Sequence, residues 1–332
     1  MKNKKRQYNI EVLRIISMFL VLLIHYNFSI NGQPDNEMLS LDFYKSIGIL
    51  ELQSLDVVCV NCFILISGYF GIHWKWYSFF NFIFQIFFWV IFSYIFACFI
   101  HYEAVSYSLF LHKIATFLSY NWFILSYLGL YLFAPVLNKF IENSSKSELV
   151  LFTFAFYLFQ TVFGYLTKSV PEFNDGMSFI SLIGLYFLGA CIRILDTKYF
   201  KLNKYLDLTI YLGLGFLLTI ISLIAIRLGF TKSVYGYMNP IVLMESLSLY
   251  LFFTKININA PWVMFFSSSA FAVYLFHYNP SIYPFYLDLC RFFSDNLGFG
   301  GILLFLSVLF VSVVFLDKTR NFIFQKCWNL IV

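Results

Sequence analysis

The stretch Glu11 to His25, EVLRIISMFLVLLIH, is apolar enough to enter a bilayer, yet it carries a carboxylate, a guanidinium and an imidazole. An ionisable group at the bilayer centre costs at least ~2.5–3.5 kcal/mol, and such groups therefore face a polar interior. The two properties together constrain the fold: this helix must cross a membrane while other helices of the chain surround it. As a helix it sets Arg14 and His25 eleven residues apart, which is about three turns at ~3.6 residues per turn. They share one face, separated by roughly 16 Å along the axis. Glu11, three residues before Arg14, lies on the same stripe and is placed to pair with it.

Composition extends the constraint to the whole chain. Apolar residues make up 61% of it, aromatics 23% and charged residues only 12%. Water cannot solvate such a surface, so a soluble domain is excluded. The expected fold class is all-α: a polytopic membrane protein with about ten transmembrane helices in a single domain over 1–332. Hydropathy sets the spans at 9–30, 52–72, 78–100, 114–138, 147–166, 177–195, 206–228, 238–254, 264–287 and 299–316. Pro280 and Pro284 interrupt the ninth and are expected to kink or break it. The basic start MKNKKR is followed by an apolar run without a small-residue cleavage site, so the first helix is read as retained.

Lys and Arg in the loops set orientation. Fifteen fall on one side: Lys2, Lys4, Lys5, Arg6, Lys75, Lys139, Lys146, Arg193, Lys198, Lys201, Lys204, Lys255, Lys318, Arg320 and Lys326. Six fall on the other: Lys45, Lys113, Lys168, Arg227, Lys232 and Arg291. The richer side is read as cytoplasmic, with both termini inside, Arg14 near that surface and His25 towards the outer half. The turn-rich segment from Asn31 to Lys45 then becomes the longest outer loop.

His25 leads the candidates for chemistry, because an imidazole titrates near pH ~6.5 and can take a proton from a hydroxyl and return it. The second stretch is NCFILISGYF, Asn61 to Phe70: Ser67 and Gly68 permit close helix approach, Tyr69 places an amphipathic ring at a helix end, and Asn61 is polar in an apolar span. After it, His73, Trp74, Lys75 and Trp76 make an aromatic–basic collar, readable as an interfacial anchor or as a phosphate contact. Trp122 and Tyr127 suit an outer aromatic belt, and Pro135 with Asn138 a kinked inner end. His277, in FAVYLFHYNP, sits in the broken span and reads as a cavity residue. Glu245 is a carboxylate inside an apolar run and needs a partner or a proton. Cys59 and Cys62 form a CxxC with no second pair nearby, so both are read as buried, inert thiols and no metal site is expected.

Taken in order, LRIISMFLVLLIH with its Arg-x10-His spacing, NCFILISGYF, the WF…Y…P..NK pattern and FAVYLFH resemble the acyltransferase family 3 of integral membrane O-acyltransferases, particularly bacterial members that acetylate surface glycans. The resemblance runs from residue 11 to 277. It implies a ten-helix enzyme that takes an acyl group, usually acetyl, from cytosolic acyl-CoA and delivers it to a hydroxyl at or beyond the outer face. Arg14 and His25 match the family's signature pair and are implied to be catalytic. Arg14, Lys75, Ser67, Gly68 and Tyr69 are implied to bind the acyl-CoA; Glu11, Asn61, Trp122 and His277 are assigned to the acceptor. The chain departs from the family where many members carry an Arg-rich segment after the second motif. Here GIHWKWYSFFNF offers Lys75 alone as an obligate cation, which leaves the mode of CoA phosphate binding open, with Arg14, Lys75 and the Arg193–Lys204 loop as the candidates. No soluble esterase-like domain is expected.

The expected protein is thus a bacterial inner-membrane, multi-pass O-acetyltransferase with partners in the lipid bilayer, acetyl-CoA and a polysaccharide or lipid-linked glycan; it has no nucleic-acid partner. The rival reading is a transporter or flippase with Arg14, Glu245 and His277 along its path. It predicts internal repeats, and none stands out. A polysaccharide polymerase, the second rival, typically needs a large external catalytic loop that this chain lacks.

Overall fold

A computed structural model describes residues 7–195, 203–230 and 234–331. Lys2, Lys4, Lys5, Arg6, Lys198, Lys201 and Lys232 of the orientation count lie outside the described residues. The chain runs through α1 (Tyr8–Asn31), α2 (Asn36–Leu41), α3 (Phe43–Asp56), α4 (Cys59–Phe70), α5 (Trp76–Phe99), α6 (Tyr107–Tyr120), α7 (Trp122–Asn143) and α8 (Lys146–Phe159). A π-helical turn, Gln160–Leu166, and a 3-10 turn, Pro171–Gly176, lead to α9 (Phe179–Ile194). Then come α10 (Lys204–Arg227), α11 (Pro240–Lys255), α12 (Val263–Ser267), α13 (Ala270–His277) and α14 (Tyr283–Ile331). No strand occurs among the described residues.

Seven helices are long and apolar enough to cross a membrane: Tyr8–Asn31, Phe43–Phe70, Trp76–Phe99, Trp122–Asn143, Lys146–Leu166, Lys204–Arg227 and Tyr283–Leu330. Three of the expected ten spans are shorter. α9 and α11 have 16 residues each. The run at 264–287 is no continuous helix but α12, α13 and the start of α14. The cause is Pro280, which lacks an N–H and disfavours helical backbone before it. Asn279 turns the chain instead: its Oδ1 accepts from Ser281 N at 3.0 Å and its carbonyl from Ile282 N at 2.9 Å. Pro284, in the first turn of α14, is tolerated where no intrahelical bond is lost. The run at 114–138 also splits, between α6 and α7 at Asn121, and α14 bends at Gly298, where φ is 62°.

Much of the segment read as an outer loop is helical. Asp35 Oδ1 accepts from Met38 N at 2.8 Å and Asp42 Oδ1 from Lys45 N at 3.0 Å, so two short acidic caps start α2 and α3.

The chain divides into two compact units, one formed by the described residues up to His73 with Phe123–Ala260, the other by Trp74–Trp122 with the residues from Pro261 onward. In the first, α4 packs on α1, α9 and α11, and α10 on α3 and α11. Leu50, Val57, Leu218, Tyr235 and Val242 form one of its apolar clusters. Lipid is as apolar as leucine, so small residues and close backbones hold such helices together rather than hydrophobic exclusion. The second unit packs α13 and α14 against α5. Its buried centre is Asp317, whose Oδ1 accepts from Gln85 Nε2 and Trp89 Nε1 at 3.1 Å each, and from Arg320 Nε at 2.9 Å.

Candidate active site

α1 runs unbroken from Tyr8 to Asn31, and Ser29 is its one exposed position. Such enclosure is what a charged face inside a membrane requires. Glu11 is 1% exposed, and its Oε2 stands 3.3 Å from Arg14 Nη1. The Arg14 side chain stays 25% exposed, so the guanidinium pairs with a buried carboxylate while remaining accessible. Two amides fix the helix along its axis: Asn9 Nδ2 donates to Phe253 O at 2.7 Å, and Asn27 Nδ2 to Ile49 O at 2.8 Å. His25, half-buried, follows in the same helix at the spacing that puts it on the face of Arg14.

The second motif lies in α4 of the same unit. A Cβ on Gly68 would stand 2.1 Å from Tyr186 O, and one on Gly189 2.4 Å from Leu65 O. Paired glycines therefore seat α4 directly on α9. Ser67 Oγ donates to Phe63 O at 3.0 Å within its own helix. Asn61 is fully buried; its Nδ2 donates to Tyr237 O at 3.0 Å, while Oδ1 has no hydrogen-bond partner among the described residues. The helix ends at Gly71, where φ is 79°. Beyond it, Ile72 N donates to Tyr186 Oη at 2.8 Å, Tyr186 Oη donates to Asn138 Oδ1 at 2.7 Å, and Asn138 Nδ2 donates to Ile72 O at 2.8 Å. This closed triangle gives Asn138 of the third motif a structural task at the end of α4.

Tyr69 has Tyr250 and Arg193 as neighbours, of which the sequence offered only Arg193, as the start of a basic loop. The Tyr69 ring lies 5.7 Å from that of Tyr250, and its carbonyl accepts from Arg193 Nη1 at 3.3 Å. Glu245, from the same helix as Tyr250, is fully buried. Neither of its carboxyl oxygens has a hydrogen-bond partner among the described residues; Glu51 and Asp56 are the charges that reach it. Cys59 and Cys62 are buried free thiols, and no group of three potential metal ligands gathers among the described residues.

Glu11, Arg14, His25, Asn61, Ser67, Gly68 and Tyr69 all lie in the first unit. Lys75, Trp122 and His277 belong to the second. Lys75 is exposed at the start of α5, beside the rings of Trp74, Trp76 and Phe79. Trp122 opens α7. His277 is fully buried, its Nδ1 2.6 Å from Val273 O, and it lines a cavity of about 300 Å³ with Phe92, Phe96, Phe276 and Tyr286.

Neither curated proteins nor solved structures give a match to the chain. The model of the acyltransferase domain matches residues 7–316, a span that holds α1 and every candidate site residue from Glu11 to His277, and the chain accordingly belongs to the acyltransferase family 3 of membrane proteins.

Proposed function

We propose that this membrane acyltransferase moves an acetyl group from cytosolic acetyl-CoA to a hydroxyl of an extracytoplasmic polysaccharide or lipid-linked glycan in the bacterial inner membrane, with both termini on the cytoplasmic side. The supporting observation is the pairing of buried Glu11 with partly exposed Arg14 on an enclosed helix that also carries His25. In this reading Arg14 holds the donor at the inner end, and His25 takes the proton of the acceptor hydroxyl. The oxygen attacks the thioester carbonyl, the C–S bond breaks, and the imidazolium returns the proton to the leaving thiolate. Base catalysis of this kind contributes ~10²–10⁴-fold.

The surroundings sharpen some assigned roles. Ser67 spends its hydroxyl proton on Phe63 O, and Asn61 one of its two amide N–H groups on Tyr237 O. Asn61 Oδ1 remains as an acceptor suited to a sugar hydroxyl. Gly68 supports the site through the α4–α9 contact. Lys75, Trp122 and His277 keep their proposed parts in donor and acceptor binding.

Proteoliposomes containing the full chain, acetyl-CoA and a bacterial glycan acceptor test the reading. Acceptor-dependent release of CoA with new O-acetyl ester on the glycan is the expected result. Glycan movement without CoA consumption would replace the enzyme by a flippase.

A further inference from the structure

Arg193 lies in the last turn of α9, one turn beyond Gly189. Since Gly189 seats α9 against α4, residues one turn away on that face also reach α4. The Arg193 guanidinium does so at the Tyr69 carbonyl, 3.3 Å away. Among the described residues no carboxylate pairs with it. Glu142 is, among the described residues, the carboxylate that reaches it electrostatically, and Glu142 is exposed.

Tyr250 supplies an independent observation. The residue is fully buried, and its hydroxyl has no hydrogen-bond partner among the described residues. That hydroxyl lies within electrostatic reach of both Arg14 and Arg193, as well as of Tyr69. Arg193 at the Tyr69 carbonyl and Tyr250 against the Tyr69 ring therefore flank one residue, with Arg14 in the same electrostatic neighbourhood, and each of the three is a hydrogen-bond donor. Glu11 on Arg14 and the Tyr69 carbonyl on Arg193 occupy one edge of each fork. A group with several acceptor oxygens and negative charge would complete the set, and phosphate matches the guanidinium fork in geometry and sign.

We infer that Arg193 and Tyr250, together with Arg14, form a phosphate clamp, and that the phosphate it holds belongs to the nucleotide part of the acyl donor. The source of the phosphate rests on the acyl-CoA reading above; the clamp itself does not. It also resolves the departure in the segment after Phe70, where Lys75 alone stands in for an Arg-rich run: the cations come from α9, a helix distant in sequence and brought there by two glycines.

The test uses the full chain in nanodiscs of zwitterionic lipid, titrated calorimetrically with inorganic pyrophosphate and then with CoA. Wild type is expected to bind both, with CoA displacing pyrophosphate. Arg193→Gln should weaken pyrophosphate binding about tenfold or more, as the loss of a charged hydrogen-bond pair does. Arg193→Lys should fall between, because the charge remains and the fork is lost. Tyr250→Phe keeps the ring and the packing, and should weaken binding by a smaller factor. Equal pyrophosphate affinity in wild type, Arg193→Gln and Tyr250→Phe would overturn the clamp, as would no binding by wild type. Repeating the titration with phosphatidylglycerol in the discs separates the sources: if that lipid occupies the clamp and CoA does not, the nucleotide assignment falls. Should wild type release no CoA in the transfer assay while Arg193→Gln still loses pyrophosphate, the acyl-CoA reading fails and the clamp stands.

Discussion

The carbonyl oxygen of Tyr186 lies 2.1 Å from where a Cβ on Gly68 would stand, so the α4–α9 contact exists only because residue 68 has no side chain. Gly68→Ala must push the two backbones apart, and neither is a flexible end that can swing aside. Overpacking of this kind costs typically ~1–3 kcal/mol. Thermal melts of the purified protein in detergent should show that loss for Gly68→Ala and for Gly189→Ala. Ser67→Ala, whose hydroxyl donates to Phe63 O in its own helix, should melt close to wild type; equal melting of all three would remove the contact from the account.

In the second unit, Asp317 and Arg320 are buried together, at 1% and 3% exposure. Removing one partner leaves an uncompensated buried charge, which costs ~3–5 kcal/mol. Asp317→Ala should therefore destabilise strongly. Replacing both with Leu and Met should recover part of the loss, since a well-packed apolar pair is often neutral or better, while the Gln85 and Trp89 donors lose their acceptor. A double variant no more stable than Asp317→Ala in thermal melts would contradict this.

Tyr102 lies in the loop after α5 and donates to Asp288 Oδ2 at 2.7 Å. That carboxylate, with a smaller contribution from burial, pushes the phenol up to about 12. Deprotonation then occurs first in the unfolded chain, so the stability this pair contributes is present below the ordinary phenol range and is lost as pH rises towards about 12. An ultraviolet titration of wild type minus Tyr102→Phe should place this phenolate near 12, and Asp288→Asn should bring it down. A Tyr102 phenol titrating as an ordinary tyrosine would exclude the hydrogen bond.

Arg14→Ala removes the cation beside a carboxylate that is 1% exposed, so it should lose stability as well as activity. Replacing both Glu11 and Arg14 with Gln removes the buried charge. It should recover much of the melting temperature while acyl transfer stays low. Recovery of transfer along with stability would reduce Arg14 to a structural residue.

The sequence was most informative where polar residues bound an apolar run on both sides. Spans expected at 9–30, 78–100 and 206–228 became Tyr8–Asn31, Trp76–Phe99 and Lys204–Arg227. Hydropathy failed at Asn121 and Pro280, because it averages over a backbone break that a single residue imposes. The Glu11–Arg14 pair was legible because three-residue spacing on a helix is local geometry. Arg193 entered only as one end of a basic loop and Tyr250 not at all, since the approach of α9 to Tyr69 depends on Gly68 and Gly189 packing two helices distant in sequence. A glycine in an apolar run signals close approach, but not to which partner.

The central claim is that the imidazole of His25 moves the proton during acyl transfer. The most direct measurement is CoA release and glycan O-acetyl content in membranes holding equal amounts of wild type and His25→Ala. The account predicts a fall of ~10²–10⁴-fold in both for the variant. Transfer by His25→Ala at the wild-type rate would contradict it.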